Sequence, residues 1–267
     1  MDANQISAAL NIATAAAIEA GKLITQNIDQ LDRVKVAQKD RFELVSEIDV
    51  QAEETIIADL SAAYPEFNTL GEESGFNDKG SNATWIIDPI DGTHNFLHGH
   101  PHCAVSIGLK VDNEAVAGVV YDALRNELFS ARKGGGAQLD NRRIRVSNVS
   151  KLAESLLCTG FPHREGQETK QWLKSFALML PRAQTIHRTG SSVLDLAWVA
   201  AGRYDGFWAY GLKPWDIVSG AVLIREAGGM IADLSGNANV LESSSVIAGS
   251  PKVFEKMLHI TKQIKAV

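Results

Sequence analysis

Trp85-Ile86-Ile87-Asp88-Pro89-Ile90-Asp91-Gly92-Thr93 is the stretch on which the reading of this chain turns. The run from Thr84 to Asp88 is apolar, ends in a carboxylate and is stopped by Pro89, which predicts a short buried strand. A turn then carries the chain to Asp91, so that two carboxylates and the Ile90 carbonyl are aimed at one point. Gly92 lets the backbone come close to a ligand. Thr93 opens a short helix whose free N–H groups suit a phosphate.

Upstream, Ile6, Leu10, Ala13, Ala17, Ala20, Ile24 and Ile28 recur at helical spacing and predict a long amphipathic helix. A polar stretch follows from Asp29 to Glu43. Ser46 with Asp49 three residues later resembles a capping box, and opens a second helix that Pro65 ends. Downstream, segments at 103–111, 115–122, 127–131 and 137–139, separated by turn-like clusters, predict an antiparallel meander. Beyond a soft boundary near residue 150, strands near 155–159, 184–187, 204–210, 230–233 and 245–248 are interleaved with helices over 170–180, 191–201, 214–227 and from Pro251. Repeats and linkers are lacking. The whole predicts one α+β domain over 1–267, with helices and mixed sheets in layers.

The 267 residues suffice for a sizeable core, and 45% hydrophobic with 22% charged residues excludes a disordered chain. A net charge of −6 argues against direct nucleic-acid binding. An acidic protein that handles a phosphate needs local positive charge, which bound metal ions supply. Cys103 and Cys158 lie in apolar runs, so a reducing compartment is expected rather than a disulfide framework. Neither a signal peptide nor a membrane span is predicted, and the expected location is the cytoplasm.

Three acidic sites carry the chemistry: Gly71-Glu72-Glu73-Ser74, Asp88 to Thr93, and Trp215-Asp216 at a helix start. Magnesium seeks several hard oxygen ligands. Glu72 and Asp216, added to Asp88 and Asp91, complete a site for two or more ions, and such a pair ~4 Å apart clamps both oxygens of an in-line displacement. Taken singly, each has a plainer explanation. Asp91-Gly92 is a common turn, Asp216 suits a helix dipole, Asp49 is a cap, and Glu72-Glu73 is a solvated pair. Their joint occurrence in this order is what points to a site.

The signature Trp85 to Thr93 resembles the first motif of the inositol monophosphatase family. Lys213-Pro214-Trp215-Asp216, with Gly220 and Glu226-Ala227-Gly228-Gly229, resembles the second. Val45 to Asp49, Gly71 to Ser74 and Arg188-Thr189-Gly190-Ser191 also fit, and the match is strongest with the bacterial branch. The resemblance implies a layered αβαβα sandwich with mixed and antiparallel sheets, and a homodimer. It implies a phosphoric monoester hydrolase that turns inositol-1-phosphate into inositol and phosphate by in-line attack of a metal-activated water, and that is inhibited by lithium. The implied cofactor is about two or three magnesium ions. Glu72, Asp88, Ile90 (through its carbonyl), Asp91 and Asp216 would hold the metal. Glu72 and Thr93 would orient and deprotonate the water, with Asp49 bonded to Thr93. Ile90, Asp91, Gly92, Thr93, Arg188, Gly190, Ser191, Asp216 and Glu72 would contact the substrate. The same resemblance leaves other sugar or polyol phosphates, histidinol phosphate and 3′-phosphoadenosine nucleotides as alternatives. It also leaves a transcription antitermination role with RNA polymerase.

Three positions depart from the family pattern. His94 stands where a second threonine is usual, and His187 where relatives carry the first of two arginines. His94 and His98 share a helix face, but the matching cysteine or carboxylate of a zinc site is lacking. Ala209, seven residues before Asp216, replaces a glutamate that contacts inositol hydroxyls in many relatives. Its short side chain is expected to leave a gap in the wall facing the alcohol, and so to broaden specificity.

Overall fold

The computed structural model describes residues 1–40, 43–162 and 167–265. Helix α1 (Ala3–Asn27) is opened by Asp2, whose carboxylate accepts from the Asn4 and Gln5 N–H groups while Gln5 reaches back to the Asp2 N–H. Its buried face is mostly alanine, which lets it lie close on a sheet. Where the sequence shows only a polar stretch, strands β1 (Val36–Asp40) and β2 (Glu43–Ser46) form an antiparallel ribbon. Ladder hydrogen bonds hold the two together, and those leave little trace in hydrophobic periodicity. Residues 41 and 42 of that stretch lie outside the described residues. Helix α2 (Glu47–Ala63) starts on Ser46 with the anticipated reciprocal bonds to Asp49, and stops before Pro65.

The first large sheet follows: β3 (Asn68–Gly71), β4 (Gly75–Asn77), β5 (Ala83–Asp91), then a short helix α3 (Thr93–Leu97), then β6 (Ala104–Val111), β7 (Glu114–Asp122), β8 (Glu127–Arg132), β9 (Gly136–Leu139) and β10 (Arg142–Arg143). Its order is β10-β9-β8-β7-β6-β5-β3-β4, antiparallel except where β3 runs parallel to β5. The meander is as expected. Two details are not. β3 and β4, unread in the sequence, form a hairpin whose turn is the Glu72 motif. Pro89 does not stop β5 either. The strand runs on to Asp91, and its register with β6 shifts between Asp88 and Asp91. A proline cannot donate to the ladder, so the strand bulges around it and re-aims its last carboxylates.

The second sheet is mixed. After β11 (Leu156–Thr159) come α4 (Gln167–Met179), β12 (Thr185–His187), α5 (Ser192–Ala200), β13 (Gly206–Tyr210), α6 (Pro214–Glu226), β14 (Met230–Ala232), β15 (Ser245–Gly249) and α7 (Pro251–Lys265). Strand order is β12-β11-β13-β15-β14, with β11 parallel to both neighbours and the remaining pairs antiparallel.

Three apolar clusters join the layers. One lies between α1/α2 and the first sheet, one surrounds α5/α6 between the two sheets, and one lies between the second sheet and α4/α7. The result is a layered α+β fold in the order helices, sheet, helices, sheet, helices. Fully buried Ile24, Ile56, Leu60 and Ile87 each contribute ~1.5–3 kcal/mol on transfer from water. The central layer is tightly set. A Cβ on Gly118 of β7 would stand 2.6 Å from the Ser219 Cα of α6, and Ser106 of β6 donates to Ser219 at 2.9 Å. That contact fixes α6, and with it Asp216, against the strands beside Asp88. Cys103 and Cys158 are buried and free. Among the described residues, no helix is long and apolar enough to cross a membrane.

Candidate active site

A cavity of about 310 Å³ opens at the bulged end of β5. Glu72, Asp88, Ile90, Asp91, Gly92, Thr93, Arg188, Gly190, Ser191 and Asp216 all line it, and Asp49 stands one bond behind Thr93. Carboxylate oxygens of Asp88, Asp91 and Asp216 lie within 4.8 Å of one another.

Each is set by a different element. Asp88 is held in β5 at 1% exposure, and its Oδ1 has no hydrogen-bond partner among the described residues. Burial, then the neighbouring Glu72, Asp91 and Asp216, push its carboxyl well above the usual range. Asp91 leans on the N-terminus of α5. Its Oδ2 accepts from the Ser191 hydroxyl and, at 2.8 Å, from the Val193 N–H. Burial raises Asp91 to about 6, and those two bonds with Arg188 oppose the rise. Asp216 sits in the first turn of α6, where its Oδ2 accepts the Lys213 N–H at 2.8 Å. Glu72, in the β3–β4 turn, lies outside the tight trio but close enough to Asp88 to raise it.

A buried oxygen with no hydrogen-bond partner among the described residues, beside carboxylates that raise its own carboxyl, suits a cation. The donors are all hard oxygens, which suits magnesium. Among the described residues no histidine joins such a cluster. His94 is an exposed cavity-lining residue and His98 ends α3.

The Thr93 hydroxyl lies 2.9 Å from Asp49 Oδ1 and 3.0 Å from the Ile90 carbonyl. Asp49 is itself buried, which raises its carboxyl, while bonds from Ser46 and Thr93 oppose the rise. Gly92 has φ of 91°, and a Cβ there would stand 2.9 Å from the His102 carbonyl oxygen and 3.3 Å from that of Gly190. Only glycine fits this position. Asn95 ties the same region together, donating to the His102 carbonyl at 2.8 Å and the Thr189 carbonyl at 3.0 Å. Arg188 lines the rim with its guanidinium 4.8 Å over the Phe161 ring.

Three residues of the site escaped the sequence reading. Glu53, 2% exposed on α2, accepts the Glu73 and Ser74 N–H groups at 2.9 and 2.7 Å and so holds the turn that carries Glu72. Asp195, 1% exposed on α5, takes the Thr189 hydroxyl at 2.7 Å behind the Arg188–Ser191 loop. Both are carboxylates on otherwise apolar helix faces, a signal that was present in the periodicity. Glu168 of α4 lines the cavity with no sequence signal of that kind.

Ala209 differs from expectation. It is fully buried and does not line the cavity; Gly160 does, and a Cβ on Gly160 would stand 3.2 Å from that of Ala209. The methyl is packed in the core layer, so no gap is left in the wall.

Five layers of helices and mixed sheets, with a carboxylate trio that could hold a metal ion at a cleft, define the class of fold and site. The chain belongs to the inositol monophosphatase family, whose model matches residues 5–266. It is 45% identical to the Nus factor SuhB of Pseudomonas aeruginosa over 254 residues, 93% of this chain and 94% of that protein. The crystal structure of the extragenic suppressor protein SuhB of Bartonella henselae superposes with a TM-score of 0.92 at 38% identity, covering 96% of this chain and 99% of that one. A staphylococcal IMPase-II structure with inositol monophosphate bound gives 0.78 at 25% identity, covering 96% and 95%.

Proposed function

We propose that this chain is a magnesium-dependent phosphomonoesterase acting on small polyol phosphates, inositol-1-phosphate first among them. The observation that carries this reading is the buried Asp88 Oδ1, without a hydrogen-bond partner among the described residues, within the Asp88–Asp91–Asp216 trio. These residues, with Glu72 and the Ile90 carbonyl, would hold the magnesium. Magnesium bound there would supply Lewis-acid activation of the phosphoryl group and of the attacking water. Thr93 positions that water, and Asp49 fixes the rotamer of the Thr93 hydroxyl. Glu72 takes the proton. The Gly92–Thr93 backbone and Arg188 hold the phosphate oxygens. Family membership and the inositol monophosphate bound by staphylococcal IMPase-II support the substrate class.

The test is a phosphate-release panel at fixed magnesium, covering inositol-1-phosphate, glycerol-2-phosphate, histidinol phosphate, a sugar bisphosphate and 3′-phosphoadenosine 5′-phosphate. Release of phosphate from inositol-1-phosphate, abolished by chelator and restored by magnesium, is the expected result. Full activity in excess chelator would sink the reading. Lithium, competing at one metal position, is expected to inhibit, and the protein is expected to sediment as a homodimer in the cytoplasmic fraction.

The relatives' name, Nus factor, favours a second role as a partner in transcription. A pull-down with native protein and Asp88→Asn separates the two, because a binding role survives loss of the trio's charge.

A further inference from the structure

Six carboxylates line the cavity, and five are spoken for. Asp88, Asp91 and Asp216 form the trio, Glu72 stands against Asp88, and Asp195 holds Thr189. The sixth, Glu168, belongs to the first turn of α4 and is half-buried. The Ser244 hydroxyl donates to its Oε1 at 3.0 Å. Its Oε2 takes no hydrogen bond among the described residues and lies beside Gly211, where an added Cβ would stand 3.1 Å from it. Gly211, with φ of 78°, therefore leaves the space this oxygen occupies.

The plain account of a rim carboxylate is an ion pair, and Glu168 forms none among the described residues. Arg188 and Lys213 line the same cavity, but among the described residues neither forms a salt bridge with Glu168. Arg188 is stacked over Phe161 instead. The lining near Glu168 includes Gly160, Phe161, Gly211 and Leu212, with the Ser192 hydroxyl and the buried methyl of Ala209 beside Gly160. A carboxylate repels the phosphate of an ester, and it accepts hydrogen bonds from alcohol hydroxyls.

We propose that Glu168, oriented by Ser244, is the specificity residue that recognises the hydroxyl groups of the alcohol half of the substrate. It thereby selects polyol and sugar phosphates over esters of the same shape without hydroxyls. This rests on the phosphatase reading above. A site that hydrogen-bonds a hydroxyl discriminates strongly against an analogue lacking it, because the acceptor is then left unpaired.

The experiment compares inositol-1-phosphate with cyclohexyl phosphate, the same ring without its hydroxyls, at saturating magnesium. Native protein, Glu168→Ala, Ser244→Ala and the double variant are assayed for kcat/KM. Loss of one hydrogen bond to a charged acceptor lowers kcat/KM for inositol-1-phosphate by about tenfold in Glu168→Ala. The value for cyclohexyl phosphate stays within about twofold. Ser244→Ala gives a smaller loss in the same direction, and no further loss in the Glu168→Ala background. Equal change on both esters, or no change on either, overturns the assignment. Silence of the native protein on both esters overturns the phosphatase reading and this assignment with it. Activity on both with an unmoved ratio overturns Glu168 alone.

Discussion

Replacing Glu53 by Gln tests how the Glu72 turn is held. Glu53 is 2% exposed and accepts two backbone N–H groups, from Glu73 at 2.9 Å and Ser74 at 2.7 Å. A hydrogen bond to a charged acceptor contributes ~1.5–3 kcal/mol, and a neutral one about half of that. Glutamine keeps one acceptor oxygen and places an amide NH2 against the other N–H. One charged bond is lost and the second is weakened, an expected cost of ~2–4 kcal/mol. Urea unfolding of the magnesium-free protein reads that loss as a lower midpoint at unchanged slope. The turn also aims Glu72, and a misplacement of ~1 Å in a catalytic group can cost ~100-fold, so kcat of the folded variant should fall as well. Gly71→Ala reaches the same turn by another route, since its Cβ would stand 2.4 Å from Glu53 Oε1 and push the carboxylate away. Refutation is clear-cut. If both variants unfold at the native midpoint, the bonds do not carry the turn. If they lose stability but keep native kcat when folded, something other than Glu53 positions Glu72.

Thr93→Ala should fold normally and lose ~100-fold or more in kcat, with Asp49→Asn losing less because it acts through the Thr93 hydroxyl. Near-native kcat in Thr93→Ala would reduce that residue to a helix start. His102 predicts a pH effect on stability. Burial first, then Arg125 and His100, lower it from its ordinary 6.5 to about 4. The folded state therefore keeps it neutral where the unfolded chain is protonated. Its contribution is fully present above pH 6.5 and is lost as pH falls through about 4. The ceiling on that loss is ~3 kcal/mol, and His102→Phe should flatten the corresponding slope in unfolding free energy against pH. An identical slope in the variant would assign the acid sensitivity to other groups.

Much of the fold could be read because it is local. The Ser46–Asp49 cap, the α1 stripe and the meander turns are each decided within a few residues. The β1–β2 ribbon, the β3–β4 hairpin and the passage of β5 through Pro89 are not. β3, for example, exists because Asn68 to Gly71 lie parallel to Thr84 to Ile87, a pairing that no periodicity in a four-residue strand announces. The site divides the same way. Asp88, Asp91 and Asp216 were recognised from motifs, whereas Glu53 bonds across 20 residues and Glu168 across 76. Such partners are set by how layers stack, and a linear reading has no access to that.

Ala209 shows where motif reasoning and packing part company. From sequence, the position reads as a wall residue whose shortening opens the pocket. In the fold it belongs to β13, and Gly160 of the chain leaving β11 covers it. β11 and β13 are hydrogen-bonded neighbours that pair Thr159 with Trp208, so Gly160 and Ala209 are the next step along the same ladder. A carboxylate at 209 would have to emerge past Gly160 to reach the cavity. With alanine there, the acceptor proposed for the alcohol comes from another element. Helix α4 follows β11 in the chain and packs on the outer face of the second sheet, so its first turn can reach the rim that β11 and β13 share. Glu168 is on that turn. In the proposed reaction the alcohol end of the cavity is built from the second sheet and its outer helix, and the metal end from β5, the β3–β4 turn and the start of α6. Under that proposal, changes at the alcohol end alter which alcohol is accepted while leaving the trio untouched.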